Sequence, residues 1–247
     1  AAFNVADMVF GDDGALYGVT GGRGTASTLF RIRAEGDDRD PMAPPTTDRG
    51  RQARALKKQL EAGHLQPDED LLTLSWSHLS HRDVAIGYAA RVAIEQFPPS
   101  RWREWALDPA SSAGSIGLLT LARVGEEIDR DPLLERLCDL PPANDRRQLL
   151  EELRVITVAI ARLGDPAGAT RQRLLARFDN NFPSPDLAEN RLRGDLLVRL
   201  SAPALTARIL DWMDAEADAA EGLAALRLLR FMKPDEAQQL RISAALK

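Results

Sequence analysis

Cysteine is nearly absent from this chain: Cys138 is the only one among 247 residues. A single thiol excludes an internal disulfide, a CxxCH haem attachment and a zinc site built from cysteines. Cys138 lies among leucines in the stretch PLLERLCDL, and no histidine or cationic cluster stands near it in the sequence to activate the thiol. We therefore interpret Cys138 as a small core residue rather than a reactive group.

Long apolar runs and a basic stripe are missing as well. The longest uninterrupted apolar runs are far shorter than the ~20 residues that span a bilayer, so we predict no membrane span. Acidic and basic residues are mixed along most of the chain and the net charge is −5, which argues against nucleic acid as the main partner. The segment carries no targeting signal, and its composition, 44% hydrophobic and 28% charged, is that of a soluble globular protein.

Histidine is scarce too, with His64, His78 and His81 as the only three. The i, i+3 spacing of His78 and His81, with Asp83 close by, is compatible with a metal site. Both residues, however, stand at the turn between two predicted helices, where polar side chains cap and bridge. We therefore predict no metal site, and the absence of a nucleophile partner leaves no catalytic triad.

Acidic residues cluster at three places, but none has the alternating oxygen ligands and fixed glycine of a calcium loop. We predict that these side chains are solvated or cap helices. The three clusters are Asp12-Asp13, Asp37-Asp38 and Asp68-Glu69-Asp70.

What is present at the start of the chain is a β pattern. Residues 3–33 alternate apolar and polar side chains, turn at Asp13-Gly14, and resume in a third short run from Leu29 to Arg33. An Asp-Gly pair between alternating runs predicts a hairpin. We interpret residues 1–34 as one blade of a β-propeller, and because a propeller needs several blades, we expect the chain to be the C-terminal portion of a longer protein. Residues 35–50, rich in proline and charge, are predicted to be a linker.

From residue 51 onwards the apolar residues follow a helical period, and we predict a helical-repeat domain over 51–247. Val84, Tyr88 and Val92 share one face, for example. The spacing predicts helices over 51–63, 68–78, 82–96, 99–107, 111–124, 131–139, 145–163, 167–179, 186–200, 203–215, 218–231 and 235–246.

Turn residues divide these helices into pairs. In Gly164-Asp165-Pro166 we predict a left-handed glycine, an aspartate cap and a proline in the first turn of the next helix. Asp68, Asp186 and Asp235 are predicted to mark helix starts in the same way. Short helices in pairs, recurring roughly every 30–37 residues, are typical of a HEAT-like α-α superhelix, or solenoid. The predicted fold is therefore mainly α, preceded by a short antiparallel β segment.

Two further stretches are candidates for function. In Gly21-Gly22-Arg23-Gly24-Thr25, the glycines free the backbone and Arg23 offers a bidentate fork to a carboxylate or phosphate; the alternative is a turn between blade strands with a solvated arginine. Trp102 and Trp105 either form an exposed contact patch or lie on the buried stripe of a helix, and we expect at least one to be in the core.

Three stretches resemble a known family. ADMVFGDDGALYGVTGGRGTASTLFRIR is similar to the last propeller blade, HLSHRDVAIGYAARVAIEQ (78–96) to the first repeat, and NRLRGDLLVRLSAP (190–203) to a later repeat of large exported planctomycete-type proteins. Those proteins join a glucose/sorbosone dehydrogenase-like propeller to HEAT repeats and a c-type cytochrome domain. Gly87 stands where such repeats usually carry arginine, which should weaken a ladder of buried ion pairs between repeats.

The resemblance implies a scaffold and interaction segment of a periplasmic or extracellular electron-transfer protein. Its partners would be another protein or neighbouring domains of the same chain. The segment would carry no active site, metal or haem of its own, while pyrroloquinoline quinone and haem c would belong to the parent protein. Arg23 would then be the one candidate near the quinone. The alternatives are a free-standing HEAT adaptor without a redox role and, third, dehydrogenase activity in this segment itself.

Overall fold

The computed structural model describes residues 5–22, 24–33, 47–65, 68–215 and 219–245. In these residues the chain is mainly helical with one small antiparallel sheet, as the sequence predicts. The chain divides into two compact units, Ala1–Arg49 and Gly50–Lys247, and each is described by itself.

The sheet of the first unit has three strands in the described residues, in the order β1-β2-β3. They are β1 (Val5–Phe10), β2 (Leu16–Gly22) and β3 (Thr25–Ile32). The turn at Asp13-Gly14 is confirmed, and Gly14 takes the positive φ of 73° that this turn needs. The third strand begins at Thr25 rather than Leu29, because the strand pairing extends over the polar residues that precede Leu29.

Both faces of this sheet carry exposed apolar side chains, and one of the two also carries Asp7 and Arg31. On one face lie the cross-strand rows Met8–Gly18–Phe30 and Phe10–Leu16–Ile32. Met8 is 59% exposed and Phe10 75%. On the other face, Val9 is 64% exposed and Leu29 66%. A sheet with apolar side chains on both faces is typical of strands that other layers cover on both sides.

All twelve predicted helices have a counterpart in the described residues. The first begins three residues earlier than predicted, and the helix expected over 99–107 is a 3-10 turn (Pro99–Arg101) followed by a short α-helix. The α-helices are α1 (Asp48–Ala62), α2 (Glu69–Ser77), α3 (Val84–Ile94), α4 (Arg103–Leu107), α5 (Gly114–Val124), α6 (Arg130–Cys138), α7 (Arg146–Leu163), α8 (Gly168–Phe178), α9 (Leu187–Arg199), α10 (Leu205–Ala215), α11 (Ala219–Leu229) and α12 (Glu236–Ala245).

The helices contact one another in a regular order. Consecutive helices contact each other: α2 with α3, α4 with α5, α5 with α6, α6 with α7, and α10 with α11. In addition, odd-numbered helices pack on the next odd one, α5 on α7, α7 on α9 and α9 on α11. Even-numbered helices do the same, α4 on α6, α6 on α8 and α10 on α12. Most helices therefore contact close neighbours in sequence.

Three apolar clusters form the core of the helical unit. The largest, which we call the first core, has all its fully buried members between Leu72 and Leu200, including Trp102, Leu153 and Phe178. A second core gathers residues from Phe182 to Leu229 around α9, α10 and α11. A third, smaller cluster joins Leu60 of α1 to α2 and α3. None of the helices in the described part of the chain is long and apolar enough to cross a membrane.

Most predicted helix boundaries are confirmed by their capping bonds. Asp68 accepts from the N–H of Leu71 at the start of α2, and Asp186 from that of Glu189 at the start of α9. Gly164 ends α7 with a φ of 95°.

The predicted cap at Asp165 is wrong. The N-cap of α8 is Ala167, and α8 begins at Gly168. The Asp165 carboxylate instead accepts from Arg199 Nε at 2.8 Å. The Ala167 N–H donates a hydrogen bond to Asp131 Oδ1 of α6 at 2.8 Å. A cap from a distant side chain leaves no local sequence signal.

Candidate functional site

The glycine-rich loop lies in the first unit, at the turn between β2 and β3. Strand pairing continues up to Gly22 and Thr25, and Gly24 takes a φ of 82°, a conformation that favours glycine. Arg23 lies outside the described residues, so its candidate role near a cofactor stays a prediction. The described neighbours Gly21, Gly22 and Gly24 have no side chain that could bind a quinone.

Asp13 organises the other end of the same sheet. Its carboxylate accepts from the Ala15 N–H at 3.1 Å, from the Tyr17 hydroxyl at 3.0 Å and from the Arg31 guanidinium. The hydrogen bond from Arg31, supported by that of the Ala15 N–H, holds the pKa of Asp13 well below its usual range. A carboxylate held by its own hairpin in this way stabilises the turn.

The three histidines form hydrogen bonds with backbone groups, and His78 and His81 do so at the turn where capping was predicted. His78 is the C-cap of α2, and its Nδ1 lies 2.8 Å from the carbonyl oxygen of Leu74. His81 Nδ1 accepts from the Asp83 N–H at 3.0 Å in the turn before α3. His64 Nε2 lies 2.9 Å from the Ala89 carbonyl oxygen, so it bridges the end of α1 to α3.

Metal ligands and an activated thiol are not assembled in the described part of the chain. No group of three or more His, Cys, Asp and Glu side chains there is placed to hold a metal ion. Asp68 acts as a helix cap, while Asp37-Asp38 lies outside the described residues. Cys138 is half-buried at the edge of the first core, and desolvation raises the pKa of its thiol, which makes it less reactive.

The tryptophan pair divides between core and surface. Trp102 is fully buried in the first core, as expected for at least one of the two, and its Nε1 donates to the carbonyl oxygen of Phe97 at 3.3 Å. Trp105 remains partly exposed and meets Trp76 edge to face, with ring centroids 5.5 Å apart. The stretch is therefore mainly structural.

Three carboxylates that sequence reasoning missed pair with arginine in or beside the core, and Glu152 is the one of the three that is fully buried. Glu152, 1% exposed, accepts from Arg177 at 2.8 Å, and the same guanidinium also donates to carbonyl oxygens at the end of α6. Glu189 pairs with the buried Arg193. Glu95 forms ion pairs with both Arg91 and Arg123. Breaking such a buried pair leaves an uncompensated charge, so these groups fix helix ends in place.

A second arginine pattern lies nearer the surface and recurs along much of the helical unit; the α7–α9 pair Arg146–Asp186, 40 residues apart in sequence, is outside it. We call its members the inter-helix arginine pairs: Glu69–Arg101, Glu95–Arg123, Asp139–Arg173, Asp165–Arg199, Asp179–Arg208, Asp195–Arg227 and Asp211–Arg241. Their partners are 28 to 34 residues apart in sequence. Each pair joins one helix, or the turn at its end, to the second helix after it.

The sequence predicts that Gly87, where an arginine is expected, weakens a ladder of buried ion pairs between repeats, and the inter-helix arginine pairs show where arginines lie instead. A Cβ at Gly87 would lie 3.1 Å from the carbonyl oxygen of Leu79, so glycine lets α3 approach the preceding turn. The arginines that join neighbouring pairs of helices stand at other positions, and most are partly exposed rather than buried. Exposed pairs contribute little stability, typically up to about 1 kcal/mol each, so they accompany the packing of neighbouring helices rather than drive it.

Comparison with known proteins adds no relative: no family model, no curated protein and no solved structure matches the chain.

Proposed function

We propose that the helices form a HEAT-like solenoid that serves as a scaffold and interaction segment in a larger exported electron-transfer protein, one that oxidises a sugar or alcohol. The inter-helix arginine pairs carry the repeat part of this proposal. Because seven such pairs recur at 28 to 34 residues and link a helix, or the turn at its end, to the region of the second helix after it, they support one two-helix unit stacked repeatedly.

The small sheet supports the link to a propeller. Propeller blades pack face to face around a ring, so each blade is covered on both faces. The apolar side chains on both faces of this sheet, with Met8 and Phe10 on one and Val9 and Leu29 on the other, suit that position. The catalytic quinone and the haem would belong to the other parts of the protein, and the segment would sit periplasmically or extracellularly.

The second candidate is a free-standing HEAT adaptor with no redox role. It is favoured by one observation, that Gly50–Lys247 forms a compact unit of its own. Such a unit can act without a propeller beside it.

Reading the natural gene on both sides of residues 1–247 distinguishes the two candidates. The first predicts propeller blades encoded upstream and a CxxCH motif downstream. A reading frame with neither would contradict it and would favour the free-standing adaptor.

A companion assay addresses catalysis. The 247-residue chain with added pyrroloquinoline quinone should reduce no dye in the presence of sugars or alcohols, and turnover would overturn the assignment of catalysis to other domains.

A further inference from the structure

A groove of about 460 Å³ lies between α9 and α11, on the surface where the odd-numbered helices pack side by side. Its lining combines two guanidinium groups with an apolar wall. The residues are Arg191 from α9 and Ala220, Leu223, Ala224 and Arg227 from α11. We call it the α9–α11 groove.

The two arginines of the groove differ in their partners. Arg227 donates to both carboxylate oxygens of Asp195, at 2.7 Å each, so its charge is compensated. Arg191 is exposed and makes no hydrogen bond or ion pair with the described residues. The groove therefore presents one guanidinium with its donors available, a group that pairs with carboxylates in a fork geometry.

The wall beside Arg191 is apolar. Leu223 is 68% exposed, and Ala224 behind it is buried. An exposed leucine next to an available guanidinium offers a partner two contacts at once, one apolar and one ionic. The apolar surface also excludes water from the ionic contact, which strengthens it.

Most arginines of the surrounding helices are already paired. The helices α3, α5, α7, α9 and α11 carry ten arginines and five carboxylates, and four further carboxylates, Asp83, Glu95, Asp145 and Asp186, cap their ends. Arg154 on α7, which packs against α9, likewise has no ionic partner among the described residues. Arg154, Arg162 and Arg191 are thus the arginines of these helices whose charge is not compensated by a described carboxylate, and Arg191 is the one that lines the groove.

We infer that the α9–α11 groove binds an acidic peptide segment, with a carboxylate on Arg191 and an adjacent apolar side chain on Leu223. The inference rests on the proposed interaction role, to which it adds a site and a partner. A nucleic acid fits less well, because the groove has one available guanidinium rather than a row matched to phosphates.

A fluorescence-polarisation titration of the full chain tests this. The probe is a labelled synthetic peptide that alternates glutamate and leucine, compared with a peptide of the same length in which lysine replaces glutamate and with one in which serine replaces leucine. We expect only the glutamate–leucine peptide to bind well. Arg191→Glu should weaken its Kd by about tenfold or more, as expected for loss of a charge-assisted contact. Leu223→Asn should weaken it severalfold.

Two variants separate a specific contact from the general field. Arg191→Lys keeps the charge and should retain most of the affinity. Arg82→Glu is the matched control, because Arg82 is another exposed arginine without an ionic partner among the described residues but lies before α3, outside the groove. It should change the Kd less than about twofold, since exposed charges at a distance are screened by salt.

Several results would overturn the inference. These are no binding of the glutamate–leucine peptide, equal losses in Arg191→Glu and Arg82→Glu, or tighter binding of a labelled single-stranded oligonucleotide that competes with the peptide. None of them decides the proposed scaffold role, because that is tested separately by the reading frame around the segment.

Discussion

At the scale of single residues, the end of α9 shows a conformation that its side chain does not favour. Ser201 has a φ of 49°, and its N–H donates to Val198 while the next N–H, that of Ala202, donates to Leu197. These two bonds close the helix in a Schellman motif, which normally places glycine at this position.

Ser201→Gly should therefore stabilise the protein. Relief of the left-handed strain predicts a rise in the free energy of unfolding of roughly 1 kcal/mol, measured by urea denaturation followed by far-UV circular dichroism. Gly164→Ala is the opposite control, because Gly164 has a φ of 95°, and it should lower the same quantity by about 1 kcal/mol or more. An unchanged midpoint in both variants would contradict the assigned helix ends.

Asp186 should make stability depend on pH. The hydrogen bond from Arg146, together with that of the Glu189 N–H, lowers the pKa of Asp186 from 3.8 to about 2. Because the pKa in the folded state is the lower one, the stabilisation is fully present above about pH 4 and is lost as the pH falls towards 2. Asp186→Asn keeps an N-cap acceptor and should reduce the fall in stability over this interval, measured by urea denaturation at each pH.

The matched control is Asp145→Asn at the start of α7. Asp145 caps its helix through the N–H of Gln148 but has no arginine partner among the described residues. If the two variants had the same pH dependence, the contribution of Arg146 would be refuted.

At the scale of elements, two glycines test how closely α9 and α11 pack. A Cβ at Gly194 of α9 would lie 2.4 Å from Leu228 Cδ1 and 3.3 Å from Phe182, whereas Gly222 of α11 has nothing within 4 Å. Gly194→Ala should cost about 1–3 kcal/mol through overpacking. Gly222→Ala should gain about 0.5–1 kcal/mol from helix propensity. Thermal unfolding measures both, and a gain at Gly194 would show that these helices lie further apart.

The helices could be predicted because their signals are local. The apolar period places α7, and aspartates such as Asp68 and Asp186 cap the helices that follow them. The helix α3 was placed correctly, but the face predicted for it is wrong: Val84 and Tyr88 are 76% and 60% exposed, and the buried face is that of Ile86, Ala90 and Ile94. The start of β3 was missed because Thr25 to Thr28 carry no alternation, and pairing with β2 decides the strand there.

The contacts between helices could not be predicted in the same way. Asp165 has the sequence of a cap but pairs with Arg199, and Ala167 is capped by Asp131 from another helix. Partners more than 30 residues apart leave no local pattern, so the inter-helix arginine pairs became visible only in the structure. The same holds for the α9–α11 groove, where neither Arg191 nor Leu223 stands out in the sequence.

At the scale of the helical unit, most packing joins helices that are close in sequence. Every fully buried member of the first core lies between Leu72 and Leu200, while α10, α11 and α12 belong to the second core. Stacked repeats have this property, because each unit contacts only its neighbours and stability is distributed along the stack. A fold whose core depends on both ends of the chain would lack it.

Equilibrium unfolding of a chain that ends at Ser201 tests the stacked-repeat account most directly. Removing α10 to α12 leaves the first core complete and uncovers Phe182 and Leu197 of the second. The account predicts that the shortened chain keeps α1 to α9 helical by far-UV circular dichroism and unfolds in a cooperative urea transition at a lower midpoint than the full chain. Loss of the helical signal without urea, with no cooperative transition, would contradict it.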